Sequence, residues 1–266
     1  MPPQASFLPT PDGYRLALHH LPAAPARAAL LLLPAFAEEM NKLRRPLAHA
    51  AQAFAAAGFA VLSLDLKGTG DSSGDFADAS WAAWQHDARL GLQTLREHHP
   101  RLPILGWGTR MGCLLASELD AELQGQLWWQ PPAQGKALLQ QFLRIRLAAE
   151  MAAGRRLQMA ELRVLLQAGQ PVWVGGYALT QGVADGLEAA RLQPPTCPTL
   201  WLEVQNEAAP ALLPASQNLL ASWAGAPVEA RAVTGLQAWA ATELEDCDAL
   251  IAASLTWLQT HWPAQV

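Results

Sequence analysis

The segment Gly108-Thr109-Arg110-Met111-Gly112 has the residue spacing of a covalent catalytic site but not its residue types. An apolar strand is expected over residues 103–107, running into it, and a helix over 111–120, following it. A strand, a G-x-x-x-G turn and a helix hold the central residue in a strained conformation at the top of a sheet, beside the N-terminus of the next helix. This is a nucleophile elbow, and its glycines are needed because nothing bulkier fits the close helix–strand approach. Here the central residue is arginine. Serine serves as a nucleophile because a base can remove its proton. A guanidinium stays protonated at any working pH and has no lone pair to offer. The partner residues are missing too. A histidine belongs near 234–241, but that stretch reads Thr-Gly-Leu-Gln-Ala-Trp-Ala-Ala, and after His99 the only histidine is His261. Glu207 stands where the acid belongs, with no histidine to orient. Acyl-enzyme chemistry of the Ser-His-Asp kind is therefore not expected.

Arg110 at a helix N-terminus suits two other roles. With the unpaired N–H groups of the helix it forms a fixed site for a carboxylate or phosphate, gripped by two parallel hydrogen bonds. Alternatively Glu38 or Glu39, which follow the strand at 28–33 on a loop facing the elbow, pair with it and fill the vacant pocket with a structural ion pair. The sequence leaves these two readings equally weighted. Ser72 and Ser73 lie in a glycine-rich loop, Lys67 to Gly74, where short polar side chains ordinarily bond their own backbone. Cys113, one residue past the second glycine, reads as a small buried hydrophobe.

The elements that must position these residues alternate. Residues 5–21 form a hairpin around Pro11-Asp12-Gly13. Residues 28–33 are a continuous apolar run ended by Pro34, as in a strand buried on both faces. A helix is expected over 46–57, closed by Gly58, then a strand over 59–65. Residues 80–98 place Trp81, Trp84, Ala88 and Leu92 on one helical face. A strand at 125–130 ends at Pro131-Pro132. Two consecutive helices follow, 135–153 and 157–168, with Leu139, Leu143, Leu147 and Met151 as an apolar stripe. Strand-like runs return at 171–174, 198–204 and 227–233. Thr242-x-x-Glu245 is a candidate capping box for a last helix over 243–260. This pattern gives an α/β class: a mainly parallel central sheet with helices on both faces and an inserted helical cap. With the elbow at 108–112 it is read as an α/β-hydrolase fold, with residues 1–133 and 191–266 as the core and 134–190 as the cap.

The composition limits partners. Of 266 residues 51% are apolar and 15% charged, enough for a sizeable core and against disorder. A net charge of -5 argues against nucleic-acid binding. The charge is uneven: residues 134–163 carry 6 basic and 2 acidic groups, and 164–266 carry 2 and 9. The basic island is either a solvated helical face or a rim that attracts an anion. Cys113, Cys197 and Cys247 have no metal-ligand spacing and read as reduced structural thiols. The start, MPPQASFLPT, lacks the pattern of a signal peptide, and no apolar run is long enough to span a bilayer. A soluble cytoplasmic protein, without metal, cofactor or stable membrane insertion, is the expectation.

Several longer motifs carry a resemblance. Pro34-Ala35-Phe36-Ala37-Glu38-Glu39-Met40-Asn41-Lys42-Leu43-Arg44-Arg45 is one, and Gly70-Asp71-Ser72-Ser73-Gly74-Asp75-Phe76 another. With them go Trp107-Gly108-Thr109-Arg110-Met111-Gly112, the stretch Gln141-Phe142-Leu143-Arg144-Ile145-Arg146-Leu147-Ala148-Ala149-Glu150-Met151, and Gly176-Tyr177-Ala178-Leu179. Over about residues 5–260 the chain resembles the exosortase A system-associated hydrolases of the second type. The resemblance implies the α/β-hydrolase fold, a setting in exosortase protein sorting and exopolysaccharide production, and arginine at the elbow as a family trait. Its "hydrolase" label rests on fold. The candidate catalytic residues are Glu38, Glu39 and Arg110. The candidate ligand-binding residues are Phe36, Asp65, Asp71, Ser72, Arg144 and Arg146. The expected ligand is a small molecule that is anionic, or glycan- or lipid-linked, handled by a carboxylate base if the site is catalytic. The alternative is a non-catalytic module for a ligand or a protein partner. Trp128, Trp129 and Trp173 either line a sugar or lipid pocket or fill the core, and core filling is the commoner role.

Overall fold

The computed structural model describes residues 2–241 and 246–264. Eight strands form one sheet: β1 (Gln4–Thr10), β2 (Gly13–His20), β3 (Ala28–Leu33), β4 (Phe59–Leu64), β5 (Ile104–Thr109), β6 (Gly125–Trp129), β9 (Thr199–Gln205) and β10 (Val228–Thr234). Their spatial order is β1-β2-β4-β3-β5-β6-β9-β10. β2 runs antiparallel to both neighbours, and the pairings from β4 to β10 are parallel. The hairpin turns through Pro11-Asp12, with Thr10 opposite Gly13.

Helices cover both faces, so the central strands are buried on both sides. β3 (Ala-Ala-Leu-Leu-Leu-Leu) has every residue buried. On one face α1 (Glu38–Ala56) and α8 (Asp248–His261) pack with Leu30, Trp107 and Leu202. On the other, α2 (Trp81–His98) and α3 (Met111–Glu118) pack with Leu31, Leu33 and Trp128. The α2 face of Trp81, Trp84, Ala88 and Leu92 is buried as expected, and Ser80 caps the helix by accepting a hydrogen bond from Ala83 N.

Between β6 and β9 the chain leaves the sheet. It forms α4 (Gly135–Ala152), α5 (Met159–Gln167), a separate two-stranded hairpin of β7 (Val172–Val174) and β8 (Tyr177–Leu179), and α6 (Gln181–Ala189). A bridge between Gln134 and Arg191 closes the two ends of this insertion. Gly154 and Gly169 follow α4 and α5 with φ of 73° and 74°, a backbone that favours glycine at helix ends.

Several expectations are corrected. The first helix starts at Glu38 rather than 46, and Pro46 lies inside it. The alanine-rich run marks only the second half of the helix, and Pro46 is accommodated inside it despite the intrahelical hydrogen bond it removes. Glu38 and Glu39 therefore sit in the first turn of a helix, not on a loop. The strand-like run expected at 171–174 is β7 of the small hairpin, so the insertion expected to be helical also carries two short strands. In the α4 stripe, Leu139 and Leu143 are buried, but Met151 is 75% exposed, because residues four apart drift about 40° per step around the helix and Glu150 takes the covered side at that end. α6 and α7 (Pro214–Ser222) had no counterpart in the sequence reading. The last helix begins at Asp248, and the Thr242–Glu245 capping box lies outside the described residues.

Candidate functional site

The elbow has the geometry its spacing predicts. Arg110 stands between β5 and α3 with φ 54° and ψ -116°. A side chain is held in that region only when its surroundings force it there, at roughly 1–3 kcal/mol of strain. The flanking glycines show the force. A Cβ on Gly108 would lie 2.5 Å from Cys113 Cα, and one on Gly112 would lie 2.0 Å from Leu33 O. That second approach packs the start of α3 against the end of β3. It thereby brings the elbow beside the β3–α1 connection. Ala37, at the N-cap of α1, repeats the conformation with φ 49° and ψ -118°. Two strained strand-to-helix turns thus face each other, and their first helical turns meet.

The side chains that meet are Arg110 and Glu39. Arg110 Nε donates to Glu39 Oε1 and Oε2, both at 3.2 Å, and Arg110 Nη2 donates to Oε1 at 2.8 Å. Arg110 Nη2 also approaches Gln141 Oε1 of α4 at 3.4 Å. The guanidinium lies 5.2 Å from the ring centroid of Trp239. The two charged side chains are 12% and 17% exposed. Of the two pairings left open, the structure shows Glu39. Glu38 is one residue on, about 100° around the helix, and it pairs with Lys42 at 3.6 Å and faces Gly175 in the β7–β8 turn.

Trp239 occupies the stretch after β10 where a histidine was sought. It is buried, and its indole covers the arginine instead of a base reaching it. Glu207 is exposed and has no histidine beside it; its carbonyl accepts a hydrogen bond from Thr234 Oγ1 at 2.8 Å. Cys113 is fully buried, and burial pushes its thiol well above the usual range, so it is no nucleophile.

A cleft of about 120 Å³ opens beside the pair. Phe36, Leu138, Phe142, Ile145 and Trp239 give it apolar walls, and Glu38, Lys42 and Gln141 give it a polar edge. Phe36 and Phe142 meet edge to face at 4.9 Å. The wall from Leu138 to Ile145 belongs to α4, so the insertion covers the elbow.

The other candidate residues lie elsewhere. Asp65 accepts a hydrogen bond from Asp71 N at 3.0 Å and pairs with Arg44 at 3.6 Å. Ser72 accepts from Leu16 N at 2.9 Å and donates to the Asp65 carbonyl, latching the glycine-rich loop to β2. Asp71 is exposed. None of these three lines the cleft beside Arg110. Arg144 is exposed on α4. Arg146 donates to the Trp173 carbonyl at 3.2 Å and shares Glu150 with Arg155. Much of the basic island is thus matched internally, and Arg163 and Lys136 likewise share Glu188. Trp128 and Trp129 are core residues, their indoles donating to Gln126 and Ser254, whereas Trp173 is 57% exposed.

Sequence reasoning missed Trp239, Lys42 and the α4 wall. Gln141 and Phe142 lay in a motif already singled out, and a helix-face projection of 138–145 would have grouped the wall. It also missed the buried Arg15–Asp87 pair at 2.8 Å, which ties β2 to α2 and to the glycine-rich loop through Lys67 N.

Comparison with known proteins agrees with the architecture. The serine aminopeptidase S33 family matches residues 24–130, less than half of the chain. Three solved structures illustrate the likeness. An α/β serine hydrolase without lid from Xanthomonas campestris is 16% identical with a TM-score of 0.63, covering 100% of this chain and 97% of its own. A thermostable carboxyl esterase from Bacillus coagulans is 15% identical with a TM-score of 0.67, covering 98% and 99%. A soluble variant of monoglyceride lipase from Saccharomyces cerevisiae is 13% identical with a TM-score of 0.66, covering 99% and 97%. No significant match is found among curated proteins. Among the described residues no helix is long and apolar enough to cross a membrane. The strand order, the elbow and these likenesses together establish that the chain has the α/β-hydrolase fold.

Proposed function

We propose that this protein uses the cleft beside Arg110 to bind an amphipathic, glycan- or lipid-linked small molecule, and that it forms no acyl-enzyme. The observation that carries this reading is the closed unit of Arg110, Glu39 and Trp239. It fills the places of nucleophile and base with an ion pair and an indole. Glu38 and Glu39 balance Lys42 and Arg110, so the cleft holds no surplus charge for a simple anion. A carboxylate or phosphate would first have to displace Glu39 from the guanidinium. Aromatic walls with a polar edge suit a sugar face or an apolar chain carrying a polar head. The resemblance to exosortase A system-associated hydrolases supports a setting in exopolysaccharide production, and the insertion 134–190 serves as the cap. A protein partner is the competing occupant of the same cleft.

Octyl glucoside is the probe that tests this. Saturation-transfer NMR is expected to show its binding to the wild type, and Ile145→Asp, on the cleft wall, to weaken it about tenfold or more. No binding, or equal binding by the variant, overturns the proposal. One observation favours a second reading. Glu38 is half-exposed on the cleft edge, and among the described residues its ion pair is the loose one with Lys42 at 3.6 Å, so it could activate water. Hydrolytic turnover that vanishes in Glu38→Gln would favour it, and turnover retained there would remove it.

A further inference from the structure

A second and larger cavity, of about 260 Å³, lies on the opposite flank of α1. The same helix therefore lines two sites. Glu38, Glu39 and Lys42 face the cleft beside Arg110. Met40, Arg44, Leu47, Ala48 and Ala51 face the second cavity. Its floor is a face of the sheet, formed by Leu18 and His20 of β2, Leu32 of β3 and Ser63 of β4. α1 packs mainly over β4 and reaches β2 less closely, which leaves the gap.

The polar groups around this gap are poorly matched. His20 is 4% exposed, and its Nδ1 is buried with no hydrogen-bond partner among the described residues. A buried, unpaired imidazole nitrogen is unfavourable, and a hydrogen-bonding group bound in the cavity that His20 lines satisfies it when the ring turns towards that group. Burial lowers the pKa of His20, so at neutral pH the ring is uncharged and presents one donor and one acceptor. At the rim, Arg44 has a loose contact with Asp65 at 3.6 Å, and Asp65 is already engaged by Asp71 N. Half-exposed Arg44 is therefore free to grip an anion without breaking a tight pair.

We infer that this cavity is a second binding site, for a medium-chain carboxylate that carries a hydroxyl group on its apolar body. The chain would lie against Leu18, Leu32, Met40 and Leu47, the carboxylate against Arg44, and the hydroxyl against His20. The volume is suitable: an apolar cavity of about 150 Å³ holds benzene.

The test compares 3-hydroxyoctanoate with octanoate by calorimetric titration of the full chain. The hydroxylated probe is expected to bind about three- to tenfold more tightly, the worth of one hydrogen bond. His20→Phe is expected to erase that difference, Arg44→Glu to weaken both probes about tenfold or more, and Ala48→Trp to abolish both by filling the cavity. If Ala48→Trp does not fold, Arg44→Glu, at the surface, decides. The inference is overturned if neither probe binds the wild type, or if binding is unchanged in Arg44→Glu or in folded Ala48→Trp. These outcomes are independent of octyl glucoside binding beside Arg110, so the two sites stand or fall separately.

Discussion

Removing either partner of the Arg110–Glu39 pair leaves a charge mostly buried beside Trp239. Exposed ion pairs are worth less than about 1 kcal/mol, and breaking a fully buried one costs about 3–5 kcal/mol. This pair has three donor–acceptor contacts at 2.8–3.2 Å and exposures of 12% and 17%, which sets it between those limits. Arg110→Ala and Glu39→Ala are each expected to cost about 2–3 kcal/mol. At roughly 2–4 °C per kcal/mol for a chain of this size, each Tm should fall by about 5–10 °C. The double variant should lose less than the sum, with a coupling of about 2 kcal/mol. Arg110→Ala also loses the contact with Trp239, about 0.5–1 kcal/mol, so it should be the worse of the two. Thermal and denaturant unfolding of the four proteins measure the cycle. Additive losses, with coupling below about 0.5 kcal/mol, would refute the idea that the pair acts as one unit.

Two further outcomes follow from buried charges away from the cleft. Asp87 is fully buried and meets Arg15, itself 2% exposed, at 2.8 Å. Arg15 also holds Asp12 at 2.9 Å, so Asp87→Ala removes one of its two carboxylates and the acceptor of Lys67 N, and should destabilise by about 2–3 kcal/mol, seen as a Tm drop of about 5–10 °C; a drop under about 3 °C would show that Asp12 alone suffices to hold the arginine. His19 packs against His98 and lies 3.1 Å from His99, nitrogen to nitrogen, and burial with these neighbours lowers its pKa from 6.5 to about 4. Between those values the unfolded chain binds the extra proton, so stability should fall as pH drops from 6.5 towards 4, by roughly 1–2 kcal/mol after solvent screening. His19→Asn should flatten that slope, and an unchanged slope would assign it to other groups.

How much was legible depended on whether a signal was local. β3 and the face of α2 were readable because burial on two sides or one leaves a periodicity in consecutive residues. The elbow was readable because Gly108 and Gly112 answer to backbone approach, not to chemistry. The start of α1 was not legible, because residues 38–45 are mostly polar and carry no alanine-rich signal, and with it went the choice between Glu38 and Glu39, which needs the helix phase. Trp239 was visible only as a missing histidine. The Arg15–Asp87 pair joins residues 72 positions apart, and no short-range pattern announces it. The basic island was legible as composition, yet its pairing with Glu150 and Glu188 depends on how α4, α5 and α6 pack.

On the proposed reading, Arg110 and Trp239 stand in the places of nucleophile and base and leave no route to a covalent acyl or phosphonyl enzyme. Incubation of the wild type with an alkyl fluorophosphonate, followed by intact-protein mass spectrometry, tests this directly. An unmodified mass is expected after prolonged exposure. A stoichiometric adduct that maps to any residue lining the cleft would contradict it.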